Sequence, residues 1–231
     1  MAFERRFVLD LPFGACVGVS LPADGAFELP AELHPVETAF ARALPEARRA
    51  GWVGGRVALR AALAAVAVEA SEPMLSTPRG APLLPAGAVG SVSHKRKIAV
   101  ALCARESRPR ATIGIDVEDL RPLRVDVASR VLTPEERALL PADGPARDAA
   151  VLLAFSAKEA IYKALDPWVH RFVAFQEASL ARGPEGALTA RLALAGNEGP
   201  FSVELHDAHL AGEAGLILVA ARVRAADAPR S

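Results

Sequence analysis

The sequence predicts an α+β protein made of two similar halves, each a small sheet with helices, packed as a pseudo-dimer with a cleft between them. Three observations support this prediction. Strand and helix patterns occur in similar amounts in both halves of the 231 residues, a charged stretch at Arg105–Arg110 provides a linker, and 52% hydrophobic residues suffice for a substantial core. We therefore divide the chain into residues 1–110 and 111–231, and we expect ligands to bind in the cleft.

The N-terminal half begins with strands and continues with helices. Residues 3–21 are predicted to form short strands around Gly14 and Gly18, and a Pro- and Gly-rich loop covers Pro73–Gly87. Apolar residues at helical spacing indicate two helices that are interrupted at Pro45. The predicted helices are Glu37–Leu44 and Glu46–Val68, and two further strands are Gly90–His94 and Ile98–Cys103.

The C-terminal half opens with a strand at Thr112–Glu118. The sequence Thr133-Pro-Glu-Glu136 has the Thr-x-x-Glu spacing of a capping box, so it predicts the start of a helix. A longer helix is expected to end before Asp166-Pro167, because a residue that precedes proline disfavours helical geometry. The predicted elements are the helix Ala146–Leu165, the strands Leu188–Leu194, Phe201–Leu205 and Leu216–Val223, and a frayed tail after Ala225.

Charge and cysteine content exclude several classes of protein. The 27 basic and 27 acidic residues give a formal net charge of zero, so no global field attracts nucleic acid or a membrane. Cys16 and Cys103 lie far apart in apolar surroundings, which favours reduced, buried thiols and a cytoplasmic protein. All four lysines fall in two patches, Lys95 with Lys97 and Lys158 with Lys163.

Two acidic residues occupy alternate positions of the strand that opens the C-terminal half. Ile113, Ile115 and Val117 alternate with Gly114, Asp116 and Glu118, so one strand face presents both carboxylates, about 6.6 Å apart along the strand. This pair is suited to share a hard cation such as Mg²⁺. An acidic strand end that faces water is the alternative.

Three further segments have the residue types of a phosphate site. In the long helix, Glu159 and Lys163 share one face, and a surface ion pair is the alternative explanation of this spacing. Ser93 and His94 precede a basic turn, and a solvated loop is the alternative there. The third segment is an arginine-rich helix, with Arg79 before Gly-Ala-Pro further along the chain. Arg48, Arg56 and Arg60 lie on roughly one side of a helix, where they form either a phosphate-binding set or a solvated face.

Taken together, in this order and at these separations, the four segments resemble the 4′-phosphopantetheinyl transferase superfamily, and in particular its enterobactin-synthetase component D type. The resemblance covers about Arg48 to Leu165, and its most specific parts are Gly114–Glu118 and Phe155–Lys163. Gly51 and Trp52 depart from the pattern, because this type often has an acidic residue followed by an aromatic such as Phe at these positions.

The resemblance implies a role for each matching residue. The metal, Mg²⁺ with Mn²⁺ as an alternative, would be bound by Asp116, Glu118 and Glu159 in the C-terminal half, where Glu159, Lys163 and Asp116 are the expected catalytic residues. The N-terminal half would bind the nucleotide of coenzyme A. The residues expected to contact coenzyme A in the two halves are Arg48, Arg56, Arg79, Ser93, His94, Lys158 and Lys163.

The implied activity is transfer of the 4′-phosphopantetheine group from coenzyme A to a serine of an acyl, peptidyl or aryl carrier protein, with release of 3′,5′-ADP. Such carriers belong to nonribosomal peptide, polyketide, fatty-acid or siderophore synthesis, and we expect a monomer that binds neither nucleic acid nor a membrane. Two alternatives remain at this stage: a Mg²⁺-dependent coenzyme A pyrophosphohydrolase, and a non-catalytic nucleotide-binding adaptor.

Overall fold

The computed structural model describes residues 3–23, 27–107, 110–123, 125–183, 186–209 and 215–226. The chain divides into two compact units, Met1–Ser107 and Arg108–Ser231. Within the described ranges, no helix has the length and apolar character that a membrane span requires. Arg124 and the predicted tail, apart from Ala226, lie outside the described residues.

The first unit is a four-stranded antiparallel sheet covered by helices. The sheet has the order β1-β2-β4-β3. A long helix, α2, packs on β2, β3 and β4. The core between this helix and the sheet includes Val17, Val53, Leu59 and Ala101. The elements are β1 Arg5–Leu11, β2 Gly14–Ser20, α1 Pro35–Ala43, α2 Glu46–Ala65, β3 Ala88–Lys95 and β4 Ile98–Arg105.

The second unit combines a three-stranded antiparallel sheet, a hairpin and a 26-residue helix, α5. The sheet has the order β5-β9-β8, and α5 packs on β5 and β9. The core between them contains Ala160, Ile161, Ala164 and Val219. The elements are β5 Ala111–Asp119, α3 Ala128–Val131, α4 Pro134–Ala138, α5 Gly144–Val169, β6 Ala178–Arg182, β7 Leu188–Leu192, β8 Phe201–His209 and β9 Leu216–Ala225.

Both units place a long helix on a small antiparallel sheet, which confirms the predicted α+β class. The capping box is also confirmed, because the Thr133 hydroxyl accepts from the Glu136 backbone N–H and the Glu136 side chain accepts from the Thr133 N–H. Cys16 and Cys103 are free and buried as predicted, and burial raises the pKa of each thiol to about 12.

Two predictions for the second unit were wrong. Helix α5 does not end before Asp166 but continues through Pro167 to Val169. Pro167 lacks the N–H that would bond the Lys163 carbonyl oxygen, so the helix loses this bond near its end. The chain then leaves the helix at His170, which adopts a left-handed conformation (φ 53°). Strand β6, whose short sequence Ala-Ser-Leu-Ala-Arg lacks β-branched residues, was not predicted.

Candidate active site

Strand β5 lies unusually close to helix α5, and Gly114 permits this approach. A Cβ atom at Gly114 would be 1.9 Å from the Ala160 carbonyl oxygen and 2.9 Å from the Ala164 backbone nitrogen. One turn further along the helix, the Thr112 hydroxyl donates to the Ala164 carbonyl oxygen at 2.6 Å. The even-numbered residues of β5 therefore face α5, and the carboxylate of Asp116 belongs to this face.

Lys163 of α5 is bonded directly to the acidic strand. Its Nζ donates to Asp116 Oδ1 at 2.7 Å and to the Ile115 carbonyl oxygen at 3.0 Å. Asp116 is only 4% exposed, whereas the Lys163 side chain is 24% exposed. A buried carboxylate is thus balanced by a lysine that still reaches solvent, and two of the three predicted catalytic residues are in direct contact.

Glu118 and Glu159 complete the acidic segment. Glu118 lies two residues after Asp116 on the same strand face and is 5% exposed. Glu159 is half-buried, and it precedes Lys163 by four residues, so the two side chains share one helix face. Strand β5 and helix α5 run in opposite directions, because Thr112 meets Ala164 and Gly114 meets Ala160.

These acids are oxygen donors of the kind that a hard cation binds, but they are not gathered into a closed cluster. Among the residues that the structure describes, no three His, Cys, Asp or Glu side chains form a group that could hold a metal ion by themselves. Mg²⁺ commonly takes one or two protein carboxylates and completes its shell with water and substrate phosphates. The donors present fit that mode of binding.

Lys158, the neighbour of Glu159, points away from the acidic strand. Its Nζ is buried and donates to Glu136 Oε2 at 2.7 Å and to the Val131 carbonyl oxygen at 2.8 Å. Burial lowers the pKa of Lys158, and the bond to Glu136 opposes this effect. Glu136 also accepts from the backbone N–H of Leu180, so the pair joins α4, α5 and β6.

In the first unit, two of the three arginines predicted to lie along one side of α2 turn inward. Arg56 is 2% exposed, and its guanidinium donates to the Met74 carbonyl oxygen and to the Ser76 hydroxyl. Burial lowers the pKa of Arg56 to about 10, with a smaller opposing effect from Glu37. Arg60 binds the buried Glu37, whereas Arg48 is exposed.

His94 lies against α2 at the position of Gly51. A Cβ atom at Gly51 would be 2.7 Å from His94 Cε1 and 2.8 Å from its Nδ1, so the imidazole fills the space that a side chain would take. His94 is exposed, while Ser93 is buried. Arg48 precedes Gly51 by one helical turn and so lies on the same side of α2. The structure therefore brings Arg48 and His94 to one region of the first unit.

Arg79 is exposed in a tight turn of the loop between α2 and β3. Gly80 N–H donates to the Thr77 carbonyl oxygen at 2.9 Å, and Thr77 N–H donates to the Ala81 carbonyl oxygen at 2.8 Å. Pro78 and Arg79 thus occupy the two central positions of a turn.

Three residues that organise these segments were missed in the sequence. Gly114 was treated only as a spacer between two isoleucines, Glu136 only as a helix cap, and Glu37 only as the start of a helix. The glycine inside an otherwise β-branched strand was an available signal, because it often marks a close approach of another backbone. No comparable local signal identifies the partners of Glu37 and Glu136, since they lie 23 and 22 residues away.

Comparisons with known proteins match both units. The family model described as the 4′-phosphopantetheinyl transferase superfamily matches residues 112–220, and the model described as the 4′-phosphopantetheinyl transferase N-terminal domain matches residues 36–104. The matched ranges include every candidate residue described above.

The relatives that are similar over half of the chain or more include two transferases and one synthase component. The 4′-phosphopantetheinyl transferase Svp of Streptomyces mobaraensis is 40% identical over 71% of this chain and 67% of its own length. The 4′-phosphopantetheinyl transferase Npt of Nocardia iowensis is 38% identical over 66% of this chain and 68% of its own length. Enterobactin synthase component D of Salmonella typhi is 35% identical over 51% of this chain and 48% of its own length.

Proposed function

This chain belongs to the 4′-phosphopantetheinyl transferase superfamily, and we propose that it transfers the 4′-phosphopantetheine group of coenzyme A to a serine of an acyl, peptidyl or aryl carrier protein. One observation supports the proposal above all: where β5 packs closely on α5, buried Asp116 accepts a hydrogen bond from Lys163. Glu118 lies on the strand face of Asp116, and Glu159 lies on the helix face of Lys163. Carboxylates that can bind a metal ion and a lysine that can contact phosphate oxygens are the groups that a reaction at a pyrophosphate requires.

A divalent metal is part of this proposal. Asp116, Glu118 and Glu159 are the candidate ligands, and one or two of these carboxylates at a time would hold Mg²⁺ together with water and the pyrophosphate of coenzyme A. When bound, Mg²⁺ supplies Lewis-acid stabilisation of the charge that develops on the phosphate oxygens. Mn²⁺ prefers the same oxygen ligands and is an alternative.

The residues of α5 have distinct tasks in the proposed reaction. The carrier serine Oγ attacks the phosphorus of the pantetheine phosphate, and the bond from that phosphorus to the oxygen of 3′,5′-ADP breaks. Glu159 is our candidate to accept the serine proton, because its carboxylate is half-buried and lies one turn from Lys163. The Lys163 ammonium, already held at the acidic strand, would stabilise the departing phosphate.

The exposed basic residues of the first unit would bind the nucleotide. Arg48, Arg79 and His94 are exposed, and arginine forks suit phosphate oxygens, so we assign them to the 3′-phosphate and pyrophosphate, with Ser93 next to His94. For Arg56, and for Lys158 in the second unit, a role as phosphate ligand remains a prediction. Each would have to exchange the protein contacts that it makes in this structure.

The carrier protein requires a local basic surface, because the whole chain has no net charge. Arg121 and Arg130 follow the acidic strand and are exposed, and we propose that they attract an acidic helical carrier domain. Arg124 belongs to the same stretch of sequence and lies outside the described residues.

Intact-mass spectrometry of purified apo carrier proteins tests the function. The carriers are incubated with this protein, coenzyme A and Mg²⁺, and in parallel with Glu159→Gln, with a chelator, and with Glu69→Gln as an exposed-glutamate control. We expect one added phosphopantetheine with the unaltered protein and the control, and little or none with Glu159→Gln or the chelator. Cleavage of coenzyme A without carrier modification would instead identify a pyrophosphohydrolase, and coenzyme A left intact with every carrier would count against catalysis at this site.

A further inference from the structure

The hairpin that displays Arg79 is fixed at its base by backbone pairing. The Leu83 N–H donates to the Leu75 carbonyl oxygen at 2.9 Å, and Ser76 pairs with Pro82. Met74, immediately before this hairpin, is buried with 1% exposure. The position of Arg79 therefore depends on how the backbone of Met74 is held.

Glu37 of α1 holds the Met74 N–H. Its Oε1 accepts from Met74 N at 2.7 Å, and its Oε2 accepts from the Arg60 guanidinium at 2.6 Å and from His34 N at 3.0 Å. Glu37 has no exposed surface. A carboxylate this deeply buried is stable only because charge-assisted bonds surround it, and here all three partners are donors.

The carbonyl side of Met74 is held by α2. Arg56 donates to the Met74 carbonyl oxygen and to the Ser76 hydroxyl, and its guanidinium stacks on the Trp52 ring at 4.3 Å from the ring centroid. Both polar groups of the Met74 backbone are thus bound by charged side chains from two different helices. The backbone from which the hairpin starts is therefore held in place at Met74.

We propose that Glu37 is a positioning residue for coenzyme A: by binding the Met74 N–H and Arg60 it sets the hairpin that presents Arg79 to the phosphates. This inference depends on the proposed function, because Arg79 is assigned there as a phosphate ligand. It assigns to Glu37 an effect on coenzyme A affinity that acts through Arg79. The chemical step in the other unit is independent of it.

Glutamine at position 37 is a sharp test because every partner of Glu37 is a donor. Glutamine keeps the shape but has one acceptor oxygen, and its NH₂ group must face either the Met74 N–H or the donors Arg60 and His34. Retaining the charged Arg60 bond places NH₂ against the Met74 N–H, so the hairpin loses its contact with α1.

The experiment measures KM for coenzyme A and kcat for Glu37→Gln, Arg79→Ala and the double variant, with thermal unfolding of each. We expect Glu37→Gln to raise KM about tenfold, the factor that corresponds to one weakened charged contact, with kcat within about twofold of the unaltered protein. The double variant should have the KM of Arg79→Ala alone, because Glu37 acts through Arg79.

If the role of Glu37 were purely structural, Glu37→Gln would lower the unfolding temperature, and the KM of the double variant would show the product of the two single KM effects. That result would overturn the proposal.

Ser76→Ala provides a second, milder variant that removes one Arg56 contact from the hairpin. It should raise KM less and also lose its effect in the Arg79→Ala background. Glu32→Gln, an exposed glutamate before α1, is the matched control with unchanged KM. If the unaltered protein modifies no carrier, the proposed function fails; if it does and KM stays constant in both variants, only this inference fails.

Discussion

Replacing Gly114 by alanine tests how tightly β5 must pack on α5. The new Cβ would lie 1.9 Å from the Ala160 carbonyl oxygen, a backbone atom that no side-chain rotation can move away. Reaching an ordinary contact of about 3.4 Å requires the strand and helix to separate by about 1.5 Å. Such a shift would lengthen the Lys163–Asp116 bond from 2.7 Å to beyond hydrogen-bonding distance.

The expected cost is at least about 1–3 kcal/mol of the free energy of unfolding, the usual range for overpacking, and carrier modification should fall together with stability. Urea unfolding followed by far-UV circular dichroism measures the first effect, and the rate of carrier modification at saturating Mg²⁺ measures the second. Gly55→Ala is the control, because its Cβ would meet only Val92 atoms at 3.9 Å and alanine favours a helix by about 0.5–1 kcal/mol. A Gly114→Ala protein with unaltered stability and rate would refute the close packing.

Three further predictions concern other residues. Gly51→Ala should raise KM for coenzyme A several-fold at nearly constant kcat, because the new Cβ would displace the His94 imidazole; steady-state kinetics against the same glycine control measures this. Lys163→Met should lower kcat on the order of 100-fold, because a positioned donor at the developing charge is lost, and single-turnover carrier modification measures this effect. Arg171 lowers the pKa of Glu177 to about 2, so this pair should stabilise the fold above pH 4.5 and lose its contribution between about pH 4.5 and 2; in urea titrations Glu177→Gln should flatten the loss of unfolding free energy in that range.

Strands and helix starts could be predicted because their signals are local. The alternation of Ile113, Ile115 and Val117 with smaller or acidic residues defines β5, and the Thr133–Glu136 spacing defines the start of α4. Both signals depend only on neighbours within a few residues. The later course of α5 through Pro167 could not be derived in this way, because tertiary packing of the helix outweighs the preference of the residue before proline.

The direction of the basic side chains could not be predicted from helical spacing. Spacing places Arg48, Arg56 and Arg60 on roughly one side of α2, but it does not show which side is covered. Most of the middle of α2 is buried, so Arg56 and Arg60 are enclosed with long-range partners, while Arg48 near the helix start remains exposed. A buried arginine requires acceptors, and Glu37 and the Met74 carbonyl oxygen are distant in sequence.

The most direct test of the central claim is the ratio of 3′,5′-ADP released to carrier molecules modified. Both products are quantified in one reaction, by chromatography of the nucleotide and intact mass of the carrier, in the presence of coenzyme A and Mg²⁺. A phosphoryl transfer from coenzyme A to a carrier serine predicts a ratio of one at every time point, with no 3′,5′-ADP when the carrier is left out. Release of 3′,5′-ADP without a carrier, or in persistent excess over modified carrier, would contradict the transferase and indicate that water is the acceptor.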